Sequence, residues 1–182
     1  MSHPRSALPP LYYAIFGIYE PILTTMGFIG ALLDPIKTHN MQAPWPAHIP
    51  PPQRLPLATM VTVVQLGHVC GLLGLVNFFL LRAARRYLSG HPALQEKVVG
   101  ALLTPLLIGD VLHLALTLWA LGDMRWNLSE WSVMLWLTVV LGLSLLIPRI
   151  AWHSGMGRYT ESREGRGKGK GLGANIPLSG RI

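Results

Sequence analysis

The chain has 182 residues, of which 51% are hydrophobic and only 13% charged, with 15 Lys and Arg against 8 Asp and Glu. Its mean hydropathy of +0.40 exceeds that of an ordinary soluble domain, so a water-soluble helical bundle, which needs polar outer faces, is excluded. The net charge of +7 does not mark a nucleic-acid surface, because the basic residues lie between and after apolar runs with few aromatics among them, and no nucleic-acid partner is expected.

Four apolar segments are long enough to cross about 30 Å of hydrocarbon as helices, at about 20 residues each. They run over residues 12–33, 57–81, 98–121 and 131–152. The fold class predicted is therefore all-α, a four-transmembrane-helix bundle over residues 1–152 followed by a disordered basic tail over 153–182. The first segment exceeds a signal-peptide core and carries Glu20-Pro21 within it, so it is read as retained. Between the first and second spans, residues 34–56 hold seven prolines, which predicts an extended, polyproline-like loop over one mouth of the bundle. The single Cys70 falls inside the second apolar segment and reads as a buried hydrophobe.

Lys and Arg accumulate on the cytoplasmic side of membrane proteins. With an even number of spans, Arg5, the loop with Arg82, Arg85, Arg86 and Lys97, and the tail from Arg149 onward share one side. That side carries twelve basic residues, against Lys37, Arg54 and Arg125 on the other. The expected topology is multi-pass with both termini cytoplasmic, in the endoplasmic reticulum. The tail, centred on Gly-Arg-Gly-Lys-Gly-Lys-Gly, is too polar to build a core.

Ionisable side chains inside a bilayer are costly, about 2.5–3.5 kcal/mol for Asp at mid-span, and mark function by default. Glu20, Gln65, His68, Asp110 and His113 all fall within a layer about 10 Å thick when measured along their helices at 1.5 Å per residue. The i, i+3 spacings of Gln65 with His68 and of Asp110 with His113 place each pair on one helix face, which predicts a shared interior pocket. Asn77 sits nearer the cytoplasmic side and reads as structural, and Gly67, Gly71 and Gly74 as a packing face. Asp34 and Trp126, just outside the layer, complete the candidate set as substrate contacts; Trp126, Trp131 and Trp152 also suit interfacial anchoring.

Two carboxyls in an apolar cavity divide into a proton donor and a base, which suits acid–base chemistry on a hydrophobic small molecule. Glu20 or Asp110 is expected to donate the proton and the other to act as base, with His113 orienting Asp110 and with Gln65 and His68 holding the substrate oxygen. No nucleophilic-serine motif, phosphate loop, dinucleotide fingerprint or HExxH sequence is present, so no cofactor is expected. Asp110, His113 and His68 are metal-ligand types, but their spacing matches no metal motif and no metal is expected.

Tyr19-Glu20-Pro21, Leu33-Asp34-Pro35, Gln65-Leu66-Gly67 and Gly109-Asp110-Val111-Leu112-His113 resemble a family of small fungal four-helix membrane proteins, over about residues 12–150. Members of that family are often encoded beside polyketide or terpenoid biosynthetic genes. The architecture is also similar to the emopamil-binding protein and sigma-2 receptor group, whose bundles place acidic residues around a sterol-like ligand. The resemblance implies an enzyme of secondary metabolism that opens an epoxide, by hydrolysis or cyclisation, or protonates an alkene as a related isomerase, in a lipophilic polyketide or terpenoid intermediate, with membrane lipids and partner biosynthetic enzymes around it. The alternative is a sterol-binding, lipid-binding or accessory membrane protein without catalysis.

Overall fold

The computed structural model describes residues 6–46 and 48–161. Four helices in it are long and apolar enough to cross a membrane: α1 (Pro10–Leu33), α3 (Leu57–Tyr87), α4 (Pro92–Ala120) and α5 (Val133–His153). A short helix α2 (Pro35–Asn40) follows α1, two 3₁₀ turns (Gly122–Trp126 and Leu128–Glu130) join α4 to α5, and no strand occurs among the described residues.

The helices start where caps allow. Pro10, Pro35 and Pro92 stand in first turns, where a missing N–H costs nothing, and the Ser132 side chain accepts the Leu135 N–H at the head of α5. Helix α3 runs six residues past the predicted end at Leu81, and α4 begins six before Val98. Apolarity ends at Leu81, but helical hydrogen bonding does not: the Arg- and Ala-rich sequence 82–87 consists of good helix formers, and Arg85 and Arg86 in the last turn complement the carbonyl end of the helix dipole.

The proline-rich loop corrects the expectation of a wholly extended segment. Asp34 accepts the Lys37 N–H at 2.8 Å and Pro35 follows it, so the Asp-Pro pair starts a helix as N-cap and first helical residue. Beyond it, Trp45 donates to the Asn40 carbonyl at 2.8 Å and the Asn40 amide donates to the Pro52 carbonyl at 2.9 Å, folding the loop onto itself. Ser132 ties it to α5 by donating to the Met41 carbonyl.

Helices pair by size. Gly67 and Gly71 of α3 meet Ala31 and Phe28 of α1, and Gly74 meets Thr24 and the Pro21 backbone; on the other side, Gly142 of α5 receives Leu114 of α4. The buried cluster lies at the end of the bundle where the chain enters α1 and leaves α5. It comprises Leu8, Tyr12, Phe16, Leu81, Ala84, Val99, Leu103 and Trp152.

Both end segments are pinned to this core. Gln95, 1% exposed, accepts from Ser6 Oγ at 2.8 Å and the Ala7 N–H at 3.0 Å, and donates to the Ala84 carbonyl at 3.1 Å. Trp152 Nε1 donates to the Ala7 carbonyl at 2.9 Å, Tyr12 to the Met156 carbonyl at 2.8 Å, and the Tyr159 N–H to the Ser6 carbonyl at 3.0 Å. Gly155, with φ +75, closes α5: its N–H reaches the Trp152 carbonyl and that of Met156 the Ala151 carbonyl, the double bond pattern that needs a left-handed residue. Arg158 then lies 3.9 Å over the Trp152 ring and donates to Glu96 at 2.6 Å. The expected tail thus begins with a docked stretch as far as Glu161, and residues 162–182 lie outside the described residues. Gln95→Leu should strip three hydrogen bonds at a buried site, at about 1–3 kcal/mol, and lower the melting temperature of the detergent-solubilised protein by several degrees, at roughly 2–4 °C per kcal/mol for a chain of this size.

Candidate functional site

Proline at position 21 shapes the first element of the site. It has no N–H to donate and its ring crowds the carbonyl four residues back, at Gly17. The chain answers with a π turn over Ile15–Tyr19, where the Glu20 N–H bonds to the Ile15 carbonyl five residues earlier. One extra residue in the turn rotates the remainder of α1 relative to a regular helix, and such turns recur at functional sites. It aims Glu20 into the bundle, where its side chain is 6% exposed.

A guanidinium meets Glu20 there. Arg149 of α5, 0% exposed, donates from Nη2 to Glu20 Oε2 at 2.6 Å and from Nη1 to Asp110 Oδ2 of α4, and its charge lies 5.1 Å from the centre of the Phe16 ring. Asp110 reaches this point because it continues the buried stripe of α4. Gln95, Val99 and Leu103 precede it by fifteen, eleven and seven residues, which at 100° per residue keeps all four within about 80° of one another. From α3 comes Asn77, 1% exposed, with its amide beside the Glu20 carboxylate; neither Nδ2 nor Oδ1 completes a hydrogen bond, and Arg149 Nε is likewise unpaired. Each membrane-length helix therefore supplies one polar side chain. Such a buried ion pair is costly to break, about 3–5 kcal/mol when one partner is removed, and each unpaired buried polar group costs about 1–3 kcal/mol.

Glu20 and Asp110 are thus brought together as expected, but by Arg149. His113 lies one turn beyond Asp110, is exposed and makes no hydrogen bond to it; orientation of Asp110 falls to the guanidinium. Gln65 and His68 do not enter the cluster. Both are exposed, His68 rests edge-on against Phe28, and nine residues separate it from Asn77, which at 100° per residue puts it about 180° round α3. Asp34 caps α2 and lines an open groove of about 510 Å³ with Lys37, Asn40 and Pro51, at the far end of α1. Trp126, 74% exposed, sits in the α4–α5 turn with Arg125 stacked 5.1 Å from its ring centre. The predicted common pocket for all these residues is corrected to a cluster of Glu20, Asn77, Asp110 and Arg149. Depth along a helix is a sound guide to level, but level says nothing about which way a side chain faces. Gln65→Ala and His68→Ala should each change the melting temperature by no more than about 2 °C, since substitutions away from packed or paired groups stay within about 0.5 kcal/mol.

Sequence reasoning misses Arg149 and sets Asn77 aside. Arg149 groups with the tail by its place near a helix end, although apolar Ile150, Ala151 and Trp152 continue beyond it; an arginine inside an apolar run is the available signal. Asn77 is legible by register, since Leu81 and Ala84, four and seven residues on, are both buried.

The cluster suits ionic and hydrogen-bonding chemistry. Arg149 occupies the point between the two carboxylates that a cation would take, and no three His, Cys, Asp or Glu side chains converge among the described residues. Comparison with curated proteins and with solved structures gives no match. A family model matches residues 5–159, which takes in all four cluster residues and both docked ends. The chain accordingly belongs to the family described as domain of unknown function (DUF7704).

Proposed function

We propose that this protein is a multi-pass membrane enzyme of secondary metabolism that opens an epoxide, by hydrolysis or cyclisation, in a lipophilic polyketide or terpenoid intermediate. The observation that carries the reading is the convergence of two carboxylates from different helices on one buried guanidinium. Two carboxylates against one arginine carry one negative charge in excess, and a single proton makes the cluster neutral; a neutral cluster is the economical state in an apolar bundle. One acid and one base then stand side by side, both held by Arg149.

Accessibility divides the roles. The Asp110 side chain is 17% exposed and that of Glu20 6%, so Asp110 is the group a substrate arriving from the bilayer can touch. Asp110 donates its proton to the epoxide oxygen as the C–O bond breaks; Glu20 takes a proton from the attacking water or hydroxyl; Arg149 keeps both carboxyls in place and offsets the charge that moves between them. Apolar surroundings favour this division of labour and limit bulk water. The location in the endoplasmic reticulum and the cytoplasmic termini belong to the same proposal. The basic residues still stand eleven to three in favour of the terminus-bearing side once Arg149 is moved into the bundle.

Glu20→Gln and Asp110→Asn each leave a one-to-one ion pair with Arg149, so both variants should express and fold. Turnover of a lipophilic epoxide should nevertheless fall by about 10²–10⁴-fold in each, the usual worth of a positioned acid or base. Activity within tenfold of wild type in both variants would remove the assignment. A second reading, a non-catalytic lipid-binding or accessory protein, draws on the same contacts, because an arginine that joins α1, α4 and α5 also serves as a lock between helices. Unchanged behaviour of Asp110→Asn in a partner enzyme's assay would favour it.

A further inference from the structure

We infer that Asn77 and the second carboxylate oxygen of Glu20 bind a water molecule inside the helix bundle, and that this water is the nucleophile of the proposed epoxide opening. The water site stands on the geometry alone; only its role as nucleophile rests on the catalytic reading above.

Three buried polar atoms of the cluster have no hydrogen-bond partner: Asn77 Oδ1, Asn77 Nδ2 and Arg149 Nε. Native interiors pair such atoms with protein or with water, and a buried water typically makes two to four hydrogen bonds, about three on average. Glu20 adds an acceptor, the carboxylate oxygen that Arg149 does not engage. The Asn77 amide lies beside this carboxylate and offers both a donor and an acceptor. A leucine, similar in size to asparagine, would fill the position without leaving unpaired atoms, and the surrounding residues of α3 are apolar. Asparagine at this site is therefore explained by something polar that it holds.

The arrangement meets the needs of an attacking water. One of its protons goes to Glu20 Oε1, the other is held by Asn77 Oδ1, and a lone pair remains for the epoxide carbon. Attack forms the new C–O bond while the strained C–O bond breaks, the epoxide oxygen takes the Asp110 proton, and Glu20 ends protonated. Return of that proton from Glu20 to Asp110, whose carboxyls share Arg149, restores the starting state with one water consumed and a diol formed. The same site would also receive a substrate hydroxyl, but a small occupant fits a position that the Gly74–Pro21 contact holds so tightly: a Cβ at Gly74 would lie 3.2 Å from the Pro21 carbonyl oxygen, one turn away on the same helix.

The test is water-edited solid-state NMR on protein labelled with ¹⁵N-asparagine in phosphatidylcholine vesicles. The Asn77 side-chain amide is identified by its loss in Asn77→Leu or, where that variant fails to fold, by elimination with Asn40→Gln, Asn127→Gln and Asn175→Gln. Expected is magnetisation transfer from water to the Asn77 Nδ2 group as fast as to the exposed Asn127. Transfer from lipid or protein protons alone would overturn the water site whatever the enzyme does. In a second arm, wild type and Asn77→Leu receive 1,2-epoxyhexadecane in H₂¹⁸O. Label in the diol with at least a 50-fold loss of diol in the variant supports the nucleophile role, and equal diol formation overturns it. Water at Asn77 with no diol from wild type would count against the catalytic reading and leave the water site standing.

Discussion

Arg149→Met should collapse the yield of folded protein, and the triple variant Glu20→Gln, Asp110→Asn, Arg149→Met should bring it back. With the arginine gone, two carboxyls from α1 and α4 face each other without a counter-charge in an apolar bundle. Removing one partner of a buried ion pair costs about 3–5 kcal/mol, most of it the cost of stranding the group left behind. At roughly 2–4 °C per kcal/mol this lowers the melting temperature by about 6–20 °C. Removing all three charges strands nothing, and replacement of a buried ionic cluster by neutral groups of similar volume is often neutral or stabilising. The pattern of one severe loss and one rescue, read by fluorescence-detected size-exclusion chromatography and thermal melts in detergent, separates a charge cluster from three independent side chains. Equal yields from wild type and Arg149→Met would mean that the guanidinium does not bear on folding.

Gly74→Val should have the second largest effect, and it should act on the site as well as on stability. A Cβ there meets Thr24 Oγ1, which can rotate away, but also the Pro21 carbonyl oxygen at 3.2 Å and Cα at 3.3 Å, which are backbone and cannot. Forcing extra volume into such a contact costs about 1–3 kcal/mol and pushes α1 from α3. Pro21 adjoins Glu20, so the displacement is passed to the carboxylate that Arg149 must reach. On the proposed catalytic reading, turnover of a lipophilic epoxide should therefore fall more steeply than folded yield. Gly30→Ala provides the control: nothing lies within 4 Å of its added Cβ, and alanine in a helix interior gains up to about 1 kcal/mol over glycine. A Gly74→Val protein as stable and as active as Gly30→Ala would show that the two helices do not depend on this contact.

The four apolar helices are readable from composition and length because a bilayer sets a minimum run of apolar residues, and the run is written directly in the sequence. Their ends are not, since charged Arg82 to Tyr87 stop the run while continuing the helix. Glu20 and Asp110 stand out as acids in apolar surroundings. Their meeting point does not, because it depends on rotation about each helix: His68 and Asn77 differ little in chemical type and lie on opposite sides of α3. The stripe from Asn77 through Leu81 to Ala84 carries that information, but Gln65 and His68 draw attention to the other face. Arg149 is hidden by a rule that reads every arginine near a helix end as a marker of sidedness. The short helix α2 is written in Asp34-Pro35, whose capping chemistry prevails over the high proline content of residues 44–56.

The chain's first and last described segments contribute to the same core, with Leu8 and Tyr12 on one side and Trp152 on the other. No partial product of synthesis can complete this packing: until α5 has left the ribosome, the Ala7 carbonyl has no indole to accept from and Glu20 no guanidinium. Maturation is thus a late closure, and a nascent chain halted before residue 149 would carry two acids on apolar helices with nothing to neutralise them.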